Sequence, residues 1–299
     1  MTPVRLSIML FLTAIIAISG LAPVFASAQL DAVYVPINFR STADEIEYML
    51  SDSAAKVVIA GERYIELMDK IRPNLSSVSV FIGLDETDKT GWMNYDQVIE
   101  EASPEGKFPS GDGEDLTMVM FTAGTTGSPK GVMLSHDSFS SYILSNVTPA
   151  DIDENEKNIL TVPMYHIAGI QAVMAAIYGG RTLIIQRQFE PVEWMSLVQS
   201  EQANRAMMVP TMLKILMDHS EFDEYDLSSL KVITYGAAPM PLEVIRKAID
   251  KFPETHFINA FGQTETAATI TMLPPEDHIL QGSEEEIQKK LKRLTSIGK

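Results

Sequence analysis

The chain has 299 residues, 45% of them hydrophobic, enough to bury a large core and more than one subdomain, which excludes a disordered chain. A formal net charge of -17 argues against a nucleic-acid surface and against general attraction to anionic lipid. The absence of cysteine excludes disulfides, thiolate metal sites and a cysteine nucleophile, and the five histidines are scattered without metal-ligand spacing.

Arg5 precedes an apolar stretch from Leu6 to about Ala22, and Ala26-Ser27-Ala28 offers a small-x-small cleavage site. Residues 1–28 therefore fit three readings: a cleaved export signal, a membrane anchor of marginal length, or a buried helix. Ala32 to Ile37 (AVYVPI) predicts a strand ended by Pro36, and Ser41 with Asp44 predicts a capping box for a helix to about Leu50. Strand Lys56 to Ala60, helix Arg63 to Ile71, strand Val78 to Ile82 and a helix near Tyr95 to Glu101 follow. Residues 103–114, rich in Pro, Gly and charge, read as a linker before a buried strand at Leu116 to Phe121.

Phe121 to Val132 reads FTAGTTGSPKGV. Gly124, Gly127 and Gly131 can take positive φ and turn backbone N–H groups into one anion-binding concavity. Thr122, Thr125, Thr126 and Ser128 add hydroxyl donors, and Lys130 adds a mobile positive charge. This predicts a phosphate loop between a strand and a helix that Ser135 N-caps, with Asp137 in its first turn. A P-loop NTPase is excluded by residue order, because Gly-Lys must there precede Ser or Thr and this chain has Pro129-Lys130-Gly131-Val132.

Beyond the loop the sequence predicts helix 135–148, strand 158–162, helix 167–178, strand 181–186, helix 191–202, strand 205–209 and helix 211–218. Strand 231–235, helix 241–251, strands 255–260 and 267–273 and a charged helix 283–294 complete the series. Strands alternating with helices define an α/β protein with helices packed on mostly parallel β-sheets.

Ligands of such sheets bind beyond the carboxyl ends of strands, which gives weight to three further loops. Pro163 to Gly169 (PMYHIAG) holds His166 among apolar and small groups, as a hydrogen-bonded packing residue or as a catalyst. Tyr235 to Pro239 (YGAAP) is a strand-to-helix turn whose small side chains, Gly236, Ala237 and Ala238, would also let a flat ring approach the backbone. Asn259 to Glu265 (NAFGQTE) combines an amide for a base edge, a ring for stacking, a hydroxyl for a phosphate oxygen and a carboxylate for magnesium.

FTAGTTGSPKGV, YGAAP and NAFGQTE, in that order and spacing, resemble the AMP-forming acyl-activating enzymes, which include acyl-CoA synthetases, peptide-synthetase adenylation domains and luciferases. The resemblance runs from about Phe25 to Lys299, with AVYVPIN and the final SIGK as further family-like segments. It implies that Thr122 to Lys130 bind the β- and γ-phosphates of ATP, and that Gly236, Ala237, Ala238 and Pro239 pack on adenine. It further implies that Asn259 contacts the adenine amino group, with Ala260, Phe261 and Gly262 beside the nucleotide. Thr264 would hold the α-phosphate, Glu265 would ligate magnesium, and His166 would line the acyl pocket near the reacting carboxylate. The implied substrates are a small-molecule carboxylic acid, ATP and CoA. A carboxylate attacking the α-phosphorus must approach another anion, so positioning and charge neutralisation, here by magnesium and Lys130, supply most of the rate.

Pro163 to Ala172 contains no acid that could pair a substrate ammonium, and Met164, Ile167, Ile170 and Val173 offer apolar surface. The implied substrate is a fatty acid, with an aryl acid as alternative. Ala123, Phe261 and Asp31 depart from the family's commoner hydroxyl residue, Tyr and Gly. Residues 29–299 read as a partial AMP-binding domain, 29–110 as its first part and 111–299 as its nucleotide-binding part. The family's β-barrel segment and C-terminal catalytic domain, with its lysine, have no counterpart in this sequence. The expectation is thus a truncated ligase, or alternatively a catalytically incomplete nucleotide- or acyl-binding remnant. Because ATP and CoA are cytosolic, the resemblance favours a buried N-terminal helix and a cytoplasmic protein, export or membrane anchoring through residues 1–28 being the alternative.

Overall fold

The computed structural model describes residues 10–12, 17–85, 88–103, 105, 110–122, 127–150, 155–267 and 269–299, with side chains from residue 23 onward. It divides into two compact units, Met1–Phe139 and Ser140–Lys299.

The first unit begins with strand β1 (Leu10–Leu12) and helix α1 (Ala17–Gln29). Ala26-Ser27-Ala28 lies inside that helix with Ser27 buried, and the Ala32 N–H donates to the Ser27 carbonyl at 2.8 Å to close its end. Among the described residues no helix is long and apolar enough to cross a membrane. Strand β2 (Val35–Pro36) is shorter than the predicted Ala32–Ile37. The reason is that Tyr34 bonds elsewhere: its N–H donates to the Thr117 carbonyl and its own carbonyl accepts from the Val119 N–H. Helix α2 (Ala43–Asp52) is capped by Thr42 and Glu45, one residue later than the predicted Ser41 and Asp44. Glu45 has the reach to accept from the Thr42 N–H, at 2.7 Å, while Thr42 Oγ1 accepts from the Glu45 N–H.

Strand β3 (Val57–Ala60), helix α3 (Glu62–Ile71), strands β4 (Val80–Gly83) and β5 (Met93–Asn94) and helix α4 (Tyr95–Glu101) follow. The five strands form a parallel sheet in the order β2-β1-β3-β4-β5. Ile46, Leu50, Ile65, Met68, Phe81 and Trp92 pack in its core, each large apolar side chain contributing about 1.5–3 kcal/mol of burial. The Trp92 Nε1–H finds Asp69 Oδ1 at 2.8 Å.

Strands β6 (Leu116–Thr122) and β7 (Lys130–Ser135) form an antiparallel hairpin. The phosphate loop therefore joins two strands, and helix α5 (His136–Asn146) comes only after the second. Ser135 does cap that helix, its Oγ accepting from the Ser138 N–H at 3.2 Å, with Asp137 in the first turn.

The second unit runs β8 (Lys157–Leu160), α6 (Ile167–Tyr178), β9 (Thr182–Ile185), α7 (Pro191–Glu201), β10 (Arg205–Met208), α8 (Pro210–Asp218), β11 (Val232–Gly236), α9 (Leu242–Lys251), β12 (His256–Gly262), β13 (Thr269–Leu273) and α10 (Glu284–Arg293). Its sheet order is β13-β12-β11-β10-β8-β9, parallel except for the antiparallel β12–β13 pair. The chain turns outward to β9 and then crosses back past β8 to β10, so the β8/β10 boundary is the switch point of this sheet. Trp194, Leu213, Ile233, Tyr235, Ile245 and Phe257 are fully or almost fully buried in its core.

Candidate functional site

The loops that the sequence singles out in the second unit all leave the carboxyl ends of β8, β11 and β12. At the end of β11, Gly236 pairs with Ala260 of β12 so closely that a Cβ would lie 2.1 Å from the Ala260 carbonyl oxygen. Ala237 next takes φ +64°, a left-handed conformation unfavourable for a residue with a Cβ. The chain thereby bends and leaves Ala237, Ala238 and Pro239 exposed, a low and mostly apolar ledge of backbone and small side chains.

On β12, Asn259 stands opposite Tyr235 in register, half-buried, and its Nδ2 donates to the Ser296 carbonyl at 3.2 Å. That bond assigns the amide orientation and leaves Oδ1 as its acceptor atom. Ala260 is half-buried, whereas Phe261 and Gly262 are exposed, and the β12–β13 register breaks between Phe261 and Gly262. The break delivers the chain into a short 3-10 turn, Thr264–Thr266. There Thr266 Oγ1 donates to the Gln263 carbonyl at 2.9 Å, and Glu265 is exposed.

Among the described residues no three His, Cys, Asp or Glu side chains group to hold a metal ion by themselves. A single accessible carboxylate next to a threonine hydroxyl nevertheless suits magnesium, which takes one or two protein carboxylates and fills its shell with phosphate oxygens and water.

After β8, His166 is the N-cap residue of α6 but makes no side-chain cap. Its ring leans on Tyr165 with centroids 4.4 Å apart. His166 is exposed, yet the surrounding protein desolvates its ring enough to lower its pKa below the ordinary 6.5, so it is neutral near pH 7. Gly169 in the same turn is a residue the sequence reading did not value: a Cβ there would lie 2.3 Å from the Pro163 carbonyl oxygen. Ile170 and Val173 are buried, and Met164 and Ile167 half-buried.

In the first unit, Thr122 ends β6 directly opposite Lys130, which opens β7. Gly127 takes φ +108°, as a nest requires, and Ser128 and Lys130 are exposed. Gly131 does not take a positive φ; it is a strand residue paired with Phe121, where a Cβ would press on Val119 Cγ1 at 2.9 Å. Gly124, Thr125 and Thr126 lie outside the described residues, as does Ala123.

His278 is also absent from the sequence-derived candidates. It is 3% exposed, and its Nε2 lies 2.9 Å from the hydroxyl of fully buried Tyr235. Burial lowers the His278 pKa, against the opposing influence of the Pro274 carbonyl and of Asp277 and Glu276, and burial raises that of the Tyr235 phenol. Its flanking acids mark PEDHIL as a surface turn, so nothing local betrays this contact.

Fold and loops together define an α/β protein whose open backbone ledge, half-buried amide and exposed carboxylate lie at the carboxyl edge of a mostly parallel sheet. A sequence model of the family described as "AMP-binding enzyme" matches residues 19–299. The long-chain-fatty-acid–CoA ligase FadD13 of Mycobacterium tuberculosis is 32% identical over 257 residues, covering 85% of this chain and 49% of that protein. The indoleacetate–CoA ligase of Aromatoleum aromaticum is 25% identical over 261 residues, covering 86% of this chain and 50% of that protein. The solved N-terminal domain of FACL13 from Mycobacterium tuberculosis superimposes with a TM-score of 0.81 at 29% identity, over 91% of this chain and 66% of that one. The chain belongs to the AMP-binding enzyme family. It spans about half the length of the curated relatives it matches.

Proposed function

We propose that this chain carries the nucleotide-binding part of an ATP-dependent carboxylate–CoA ligase. In the first half-reaction a carboxylate oxygen attacks the α-phosphorus of ATP, and pyrophosphate leaves with the electrons of the broken P–O bond, giving an acyl-adenylate. In the second, the sulfur of CoA, its thiol proton given up to solvent, attacks the acyl carbon, and AMP leaves with the electrons of the broken C–O bond as the thioester forms. The single observation that carries the reading is the carboxyl edge of β11 and β12, where Gly236 and left-handed Ala237 clear a ledge beside an amide whose acceptor is Oδ1. An adenine amino group donates, so it suits that acceptor, while the ledge suits the ring.

Thr264 and the exposed Glu265 follow in the turn just after β12 and are read as the contacts of the α-phosphate and of magnesium. Magnesium bound there would supply positive charge to the phosphate oxygens. Thr122, Gly127, Ser128 and Lys130 are read as the group for the β- and γ-phosphates, Lys130 supplying the charge. Gly124, Thr125 and Thr126 share that role by resemblance. His166, neutral near pH 7, would hydrogen-bond the reacting carboxylate without adding charge.

The relatives are named for long-chain fatty acids and for indoleacetate, so the acid is proposed at two levels. A carboxylic acid with an uncharged body is the broader one. A fatty acid is the narrower, supported by half-buried Met164 and Ile167 and by the lack of an acidic residue from Pro163 to Ala172, whereas Ile170 and Val173, expected to offer apolar surface, are packed in the core. A requirement for ATP and CoA favours a cytoplasmic location. ATP–pyrophosphate exchange by the full-length protein, with a panel of fatty, aryl and amino acids, tests the reading. Exchange driven by fatty acids supports it, exchange driven only by aryl acids moves the substrate class, and none with any acid sinks the ligase. Thioester formation by the 299-residue chain alone would remove the alternative of a binding remnant.

A further inference from the structure

We infer that His278 is a positioning residue for the nucleotide, acting through Tyr235 to fix the end of β11 that presents Gly236, Ala237 and Ala238. The inference rests on the reading of that ledge as an adenine site. His278 Nδ1 lies 2.9 Å from the Pro274 carbonyl oxygen and Nε2 lies 2.9 Å from the Tyr235 hydroxyl. A carbonyl can only accept, so Nδ1 carries the proton; in the neutral ring Nε2 is then an acceptor, and the tyrosine hydroxyl donates to it. Both partners thus have one role each. The imidazole is held further by Phe257, its ring 6.2 Å away, and by the edge-on ring of Tyr235 at 5.6 Å.

The consequence lies one residue further along the strand. Tyr235 is directly followed by Gly236, which is pressed on the Ala260 carbonyl, and by Ala237, held at φ +64°. Neither has conformational slack, so the placement of the Tyr235 ring dictates where the ledge begins. Tyr235 also stands opposite Asn259 in the β11–β12 register, so one buried side chain underlies both segments read as contacting adenine. Without its acceptor, the Tyr235 hydroxyl would be a buried donor with no partner and would be driven to move toward one. Pro274 and His278 flank the short turn Pro275–Asp277, which Arg293 of α10 holds through Asp277, so the support reaches back to a helix.

A buried Tyr–His pair that merely stabilises the fold would lower the melting temperature without changing nucleotide affinity in the folded state. The test is AMP binding by the 299-residue chain, measured calorimetrically at a temperature where circular dichroism finds each variant folded. Wild type, His278→Leu, His278→Gln and Tyr235→Phe are compared. His278→Leu is expected to weaken AMP about tenfold and Tyr235→Phe about fivefold, the scale of one lost hydrogen bond. His278→Gln keeps an oxygen acceptor for Tyr235 and is expected within about threefold of wild type, whatever its melting temperature. Nitrogen-15 histidine spectra of the wild-type chain are expected to report the Nδ1–H tautomer at His278.

Wild-type affinity in folded His278→Leu and Tyr235→Phe overturns the inference and leaves the adenine site standing. Should His278→Leu not fold, Tyr235→Phe, which loses a single oxygen atom, decides. An Nε2–H tautomer overturns the inference as well. A wild-type chain that binds neither AMP nor ATP with magnesium overturns the adenine site, and this inference falls with it.

Discussion

Gly236 faces the carbonyl oxygen of Ala260 at a separation that leaves room for a hydrogen and nothing more: a Cβ would lie 2.1 Å from that oxygen. Backbone carbonyls do not swing aside as side chains do, so the Gly236→Ala variant must part β11 from β12 at their carboxyl ends. Overpacking of this kind destabilises by about 1–3 kcal/mol, and the strands would separate first where the ledge is. The expected result is a lower melting temperature together with loss of measurable AMP binding, read by thermal denaturation and calorimetry.

Lys130 is exposed at the mouth of the β6–β7 hairpin, opposite Thr122. If it serves the β- and γ-phosphates, Lys130→Ala should weaken ATP by at least about tenfold and AMP hardly at all, because AMP lacks those groups. Melting should stay within about 2 °C of wild type, since an exposed surface substitution rarely shifts stability by more than about 0.5 kcal/mol. Equal weakening of AMP and ATP would remove Lys130 from the phosphate site.

Glu265 is likewise exposed, in the turn after β12. Glu265→Gln keeps shape and hydrogen-bonding capacity but removes the charge that suits magnesium. The expected outcome is a rise of about tenfold or more in the magnesium concentration needed for half-maximal ATP binding, with AMP affinity in magnesium-free buffer unchanged.

The helix Ile167–Tyr178 coincides with its sequence prediction because its apolar run, rich in Ala and Ile, is too long for a buried strand and is bounded by Pro163 before and by Gly179-Gly180 after. Hairpin strand β7 escaped the sequence because Gly131 and the preceding Pro129 read as turn residues, and only pairing with β6 makes Lys130–Ser135 a strand. The three motifs are visible because each sets its distinctive residue types close together in sequence. Their supports are not. Asp31, where the family's commoner residue is Gly, takes φ +54°, and its carboxylate accepts from the Ser110 N–H, the Ser110 hydroxyl and the Gly111 N–H. These partners are about eighty residues away in sequence, as His278 is remote from Tyr235, and only the fold brings each pair together.

Asp218, at the end of α8, accepts from Lys214 and from Lys247 of α9, and these bonds hold its pKa at about 2, below the ordinary aspartate value of 3.8. A depressed folded-state pKa contributes stability above the unfolded value, and that contribution is lost as pH falls through the folded one. Asp218→Asn should therefore flatten the acid limb of the stability curve between about pH 4 and about pH 2, checked by denaturant melts across that range. The pair is exposed, so about 0.5 M salt should shrink the difference between wild type and variant.

Asn259 offers the most selective test of the base reading. Its Nδ2 is engaged with the Ser296 carbonyl, so the adenine amino group would donate to Oδ1. ITP carries a carbonyl oxygen where ATP carries the amino group, and two facing acceptors repel. The wild-type chain should accordingly bind ATP at least about tenfold more tightly than ITP, since a site built to pair a polar group is left unsatisfied by the analogue that lacks it. Asn259→Ala removes both the acceptor and the tie to Ser296, so ATP weakens while ITP, no longer opposed, changes little, and the ratio falls toward one. Asn259→Asp keeps an acceptor for the amino group but sets a carboxylate against the Ser296 carbonyl, and should lose stability while still preferring ATP. Competition calorimetry with the two nucleotides reads each ratio, and a ratio unchanged in Asn259→Ala would take the amide out of base recognition.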